Sequence, residues 1–138
     1  MKHFIDISDY DKRKIDSIIK KAKKIKKNPY IFRDKCKNKT LGMIFQKEST
    51  RTRVSFSVGF QKLGGYSLEL NADKIGFGKR ESYEDIIKTL SQFVNILMIR
   101  NDDHDIVRLL ASLNVLPIIN GLSNFSHPCQ ILSDLLTI

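Results

Sequence analysis

Four times along this chain a short apolar run gives way to a stretch with helical spacing. The runs are Leu41–Phe45, Tyr66–Leu70, Ile96–Ile99 and Val115–Ile119. Each is strand-sized and bounded by polar or glycine-containing segments, and after each the apolar residues recur every three or four positions. Strands that alternate with helices cannot pair as hairpins, so they stack in parallel with the helices laid over the sheet. The pattern therefore predicts an α/β fold: one domain over residues 1–138, with a parallel sheet of at least four strands flanked by helices. A chain of 138 residues is long enough to bury a core for such a sheet.

The helices can be placed from their caps and stripes. Ser8 reads as the cap of a leading helix to Lys27, with Ile15, Ile18, Ile19, Ala22 and Ile25 on its inner face and Asn28-Pro29 as its stop. A second helix runs to Leu63, where Gly64-Gly65 punctuates. Ser82, with Asp85 three residues on, opens a third, whose stripe is Ile86, Ile87, Leu90 and Phe93. Asp103–Leu113 is a fourth, and Pro128 suits the first position of a last helix towards Ile138. The stretch 71–82 has two glycines and no periodicity and reads as a loop, as does GLSNFS before His127.

Charge narrows the function classes. The net +9 lies wholly in residues 1–39, which hold 14 Lys/Arg against 5 Asp/Glu, while the rest of the chain is balanced. A basic arm can track a nucleic-acid backbone. Here Lys outnumbers Arg by 12 to 2 and aromatics for stacking are few, so a solvated helix face is the better reading, and a nucleic-acid partner is not expected. No apolar run approaches the ~18–20 residues of a membrane span, and the N-terminus lacks a secretory h-region. Cys36 and Cys129 share no metal-ligand spacing with the three histidines. Two free thiols, a cytoplasmic setting and no metal are the simplest account.

The polar residues that remain fall at one edge. Ser49-Thr50-Arg51-Thr52-Arg53 follows the first predicted strand and opens a helix, Arg100 ends the third, and His127 and Gln130 follow the fourth. All lie at the carboxyl ends of strands, the edge where open α/β sheets bind ligands. A helix start offers free N–H groups and a partial positive charge to an anion, and the hydroxyls and guanidinium forks there add donors. The bland alternative is that Ser49 or Thr50 only caps the helix and the arginines face water. The block is not a Walker A loop, having no glycine and no Lys before its hydroxyls. His127 and Gln130 are three residues apart across a helix start, so both can face one side. The imidazole can donate to a carbonyl oxygen, and the amide can accept from an adjacent NH₂. His104, in NDDHDIV, reads as an ordinary exposed residue, and both thiols as structural.

Taken together, STRTR at 49–53, the Arg100 that ends NILMIR and HPCQ at 127–130 resemble the aspartate and ornithine carbamoyltransferases, in the carbamoyl-phosphate-binding domain of that family. The resemblance covers the whole chain. It implies that Ser49, Thr50, Arg51 and Thr52 hold the phosphate and that Arg100 bridges phosphate and carbonyl oxygens. It further implies that His127 polarises the carbonyl, that Gln130 orients the carbamoyl NH₂, and that Arg53 is a structural ion-pairing residue. The implied reaction is attack by an amino-acid amine on the carbonyl, with phosphate leaving and neither metal nor cofactor involved. The implied partners are carbamoyl phosphate and the amino acid, in a homotrimer when the enzyme is intact.

Within the family, INGLSNFSHPCQILSDLL is closer to the ornithine branch. The loop at 71–80 is not, because it has no Gln, and its Lys79 and Arg80 are similar to the aspartate branch. Members also have a second domain that binds the amino acid, and this chain ends at Ile138, inside the helix expected to lead there. Proximity of the two reactants supplies much of the catalytic effect. The 138 residues are therefore expected to hold carbamoyl phosphate and to turn over poorly alone.

Overall fold

A computed structural model describes residues 1–138. Its strands are β1 (Thr40–Phe45), β2 (Tyr66–Asn71), β3 (Ile96–Arg100) and β4 (Ile118–Leu122). The helices are α1 (Lys12–Lys27), α2 (Thr50–Lys62), α3 (Tyr83–Leu90), α4 (His104–Ser112) and α5 (Pro128–Thr137). The four strands are all parallel, in the order β2-β1-β3-β4. Phe45 pairs with both Asn71 and Arg100, and Arg100 with Leu122, so the carboxyl ends of all four strands finish level. That common edge positions the site.

Alternation along the strands divides the core in two. Ile44, Leu97, Ile99 and Ile118 point to one face and pack with Ile86, Ile87, Val107 and Leu110 of α3 and α4. Leu41, Met43, Phe45 and Met98 point to the other, where Phe56 and Phe60 of α2 lie against them. Complete burial of side chains such as Ile87, Leu97 and Ile99 stabilises the fold by about 1.5–3 kcal/mol each. Gly64 turns the chain from α2 into β2 at φ 91°, and an added Cβ there would collide with the carbonyl oxygen of Arg33.

Four expectations are corrected. The cap of α1 is Asp11, whose carboxylate accepts from the Lys14 N–H; Ser8 sits in a separate 3-10 turn, Ile7–Asp9. The stripe of α1 is only half-buried, because the helix rests on α5 rather than on the sheet. β4 begins at Ile118, after Pro117, and takes in Gly121 and Leu122 from the expected loop. Phe93 lies beyond the end of α3 and is 70% exposed. One feature was not foreseen: Phe4 bridges to Ile119 in parallel, its N–H donating to Ile118 O at 2.7 Å, so the N-terminal residues cover the free edge of β4.

Candidate anion-binding cleft

All seven residues singled out from the sequence, Ser49, Thr50, Arg51, Thr52, Arg100, His127 and Gln130, line one cleft of about 880 Å³ above the carboxyl edge of the sheet. It is wider and more open than a pocket cut to a small phosphorylated metabolite. Phe56 and Leu122 supply its apolar lining.

The block at 49–53 is both cap and pocket. Ser49 has extended backbone and caps α2, its Oγ accepting from the Thr52 N–H at 3.4 Å. The same Oγ accepts from Arg100 Nη1 at 2.7 Å, and Thr52 Oγ1 accepts from that nitrogen at 3.3 Å. Arg100 thereby ties the end of β3 to the start of α2. Thr50 and Arg51 are exposed in the cleft, and the Arg51 guanidinium makes no ion pair or hydrogen bond with the rest of the chain. Arg53 turns away, pairing with Glu48 at 2.7 Å and Glu69 at 2.9 Å, as an ion-pairing scaffold residue should. Arg51 is thus the free cation of the pair.

Across the cleft, His127 stands at the start of α5 without a side-chain cap bond, and Pro128 fills the first helical position. Its imidazole is half-buried, and Nδ1 has no hydrogen-bond partner. Burial first, and then the positive charge of Arg100, hold its pKa below the usual imidazole value, with Asp134 pulling weakly the other way. The ring is therefore neutral at pH 7. Gln130 is exposed and donates from its amide nitrogen to Asp134 Oδ1 at 2.8 Å, which leaves its carbonyl oxygen free to accept. Burial pushes the Cys129 thiol up to about 11, so it is no nucleophile near neutrality.

Sequence reasoning missed Ser55 and Ser133, which also line the cleft. A signal existed, since each lies one helical turn beyond a residue already chosen: Ser55 after Arg51 and Thr52, Ser133 after Gln130. Lys79 and Arg80 are held within their own loop, Lys79 by Asp73 at 2.8 Å and Arg80 by the Lys74 carbonyl oxygen at 2.8 Å. His104 is not an ordinary exposed residue: it is buried, with both ring nitrogens engaged.

The family model described as aspartate/ornithine carbamoyltransferase, carbamoyl-P binding domain, matches residues 2–138. The chain belongs to the aspartate/ornithine carbamoyltransferase family. Among relatives of this chain, the ornithine carbamoyltransferase of Archaeoglobus fulgidus is 43% identical over 140 residues, covering 100% of this chain and 46% of that protein. The solved ornithine carbamoyltransferase from Pyrococcus furiosus superposes with a TM-score of 0.94 at 43% identity, over 99% of this chain and 44% of that one. The anabolic ornithine carbamoyltransferase from Campylobacter jejuni gives 0.93 at 36% identity, over 100% and 45%. The chain thus spans somewhat under half the length of these relatives.

Proposed function

We propose that these 138 residues form the carbamoyl-phosphate-binding part of an ornithine carbamoyltransferase. Ser49, Thr50, Arg51 and Thr52, with the free N–H groups at the start of α2, hold the phosphate oxygens. Arg100 reaches both the phosphate and the carbonyl oxygen. His127 polarises that carbonyl, and the carbonyl oxygen of Gln130 accepts from the carbamoyl NH₂.

The ornithine side-chain amine, entering from the open side of the cleft, attacks the carbonyl carbon. The bond from that carbon to the bridging oxygen breaks, phosphate departs with the electron pair, and the attacking nitrogen passes one proton to the departing phosphate, giving citrulline and phosphate. Donors set in place before the reaction stabilise the charge that grows on the carbonyl oxygen and the leaving phosphate. A neutral His127 suits this role, because it donates a proton without adding a second full charge beside Arg100. The active assembly is a cytoplasmic homotrimer.

The observation that carries this reading is the unpaired guanidinium of Arg51 lining the same cleft as Arg100 and His127. Calorimetric titration with fresh carbamoyl phosphate tests it. Wild type should release heat and gain thermal stability, whereas Arg51→Ala should lose both responses. Its ligand-free melting temperature should barely move, since an exposed side chain without partners contributes within about 0.5 kcal/mol. No heat from wild type at millimolar ligand rejects the proposal.

A further inference from the structure

Behind His127 runs a buried polar chain that is not part of the cleft. It matters because the His127 ring is held by no hydrogen bond of its own: Nδ1 is unpartnered and the residue caps α5 without a side-chain bond. The place of the ring is therefore set by the peptide that carries it. That peptide is anchored through the Ser126 carbonyl oxygen, which accepts from the Ser123 N–H at 3.0 Å, the Ser123 hydroxyl at 3.3 Å and the Asn120 amide at 3.2 Å. The Ser126 N–H donates back to Ser123 Oγ at 3.2 Å. Asn120, Ser123 and Ser126 are all buried.

His104 governs this anchor. Its Nδ1 lies 2.7 Å from Ser123 Oγ, and its Nε2 lies 3.1 Å from Arg108 Nε. A guanidinium can only donate, so Nε2 must accept and the ring proton must sit on Nδ1. That proton goes to Ser123 Oγ, and the hydroxyl proton of Ser123 is left for the Ser126 carbonyl. This arrangement satisfies both His104 nitrogens, the Ser123 hydroxyl and the Ser126 carbonyl, and leaves only the Asn120 Oδ1 of the relay without a partner. Arg108 is steadied at its far end by Asp9 at 3.4 Å, and Phe125 packs its ring 5.0 Å from the imidazole.

We propose that His104 is a positioning residue for His127, acting through Ser123 and the Ser126 carbonyl. Its functional consequence rests on the carbamoyl-phosphate reading; its geometry does not. His104 makes no contact with ligand space. It fixes the rotation of one hydroxyl, and that hydroxyl fixes the peptide from which the imidazole projects towards the carbamoyl end of the cleft.

The test compares the wild-type chain with His104→Phe and Ser123→Ala, the latter removing only one hydroxyl should the former fail to fold. Each is titrated with carbamoyl phosphate and separately with inorganic phosphate. The preference for carbamoyl phosphate should fall about tenfold in both variants, the scale of one displaced hydrogen bond. Phosphate affinity should hold, because Ser49, Arg51 and Thr52 are untouched. Equal weakening of both ligands means general loosening and overturns the proposal. A second arm needs no ligand: the ¹⁵N and ¹H signals of the His127 ring, assigned with His127→Ala, should shift in both variants. Unmoved His127 signals overturn the proposal as well. If wild type binds phosphate without preferring carbamoyl phosphate, the functional reading fails, and the ring signals still decide the role of His104.

Discussion

At the α2 end of the cleft, where the proposal puts phosphate, the donors come from one short stretch, 49–52, and from Arg100, whose tie to Ser49 and Thr52 is half exposed. At the His127 end the imidazole has no bond of its own and is held from behind. Its support is a buried relay that draws on Ile5, His104, Asn120, Ser123 and Ser126. The first end is local chemistry at a helix start. The second is tertiary structure, and it reaches across 115 positions of chain where the Asn120 amide donates to the Ile5 carbonyl oxygen at 3.0 Å. Damage to the first end should therefore cost binding, and damage to the second should cost stability or aim.

Arg100→Ala gives the largest expected effect, because this guanidinium serves both ends. Carbamoyl phosphate affinity should fall on the order of 10²-fold, the weight of about two charge-assisted hydrogen bonds. His127 should also titrate nearer its ordinary value once the neighbouring charge is gone. A loss below about threefold in calorimetry would place the anion on Arg51 alone and dissolve the idea of a shared residue.

Asn120→Ala probes the buried end by itself. The residue is fully buried, and its removal strips a donor from the carbonyl oxygens of Ile5 and Ser126. Stability should drop by about 2–4 kcal/mol in urea melts, with the slope unchanged. A drop under about 1 kcal/mol would show that the relay contributes little to the fold.

The same contrast explains what could be read in advance. Alternation of apolar runs with helical stretches was enough for the parallel sheet, since short-range periodicity carries that information. The level carboxyl edge then brought Ser49, Arg51, Arg100 and His127 together without any knowledge of contacts. Misplaced boundaries had local causes: Asp11 rather than Ser8 captured the free N–H groups of α1, and Pro117 delayed β4. His104 was illegible for a different reason. Among three neighbouring carboxylates it looks solvated; Arg108, one helical turn on, was within reach of local spacing, but only the fold brings Ser123 to its other nitrogen. Nothing in local spacing marks a residue whose burying partner, Ser123, is chosen by the return of β4.

Ser49→Ala sharpens the local end. Losing this cap should destabilise the protein by about 1 kcal/mol, well below the Asn120 effect. Because the same oxygen accepts from Arg100, carbamoyl phosphate affinity should fall too. Thermal melts with and without ligand separate the two contributions. A variant that loses stability yet binds normally would make Ser49 a cap and nothing more.

The smallest effect is a pH slope at the opposite end. His127 is held below its unfolded value by burial and by Arg100, so the unfolded chain takes up its proton more readily than the folded one. Its contribution to stability is thus fully present above the unfolded imidazole pKa, about 6.5. It should be lost as pH falls from there through the lower, folded value. Buried Asp6 titrates in a separate, more acidic window: burial raises its carboxyl, but hydrogen bonds from Ser8 and Ser126 outweigh that and lower it. The His127 slope should vanish in His127→Ala, and saturating phosphate should flatten it in wild type, since an anion beside Arg100 cancels the charge that repels the ring proton. If phosphate leaves the slope unchanged while calorimetry shows it bound, the anion is not sitting between Arg100 and His127, and the two ends of the cleft do not serve one ligand.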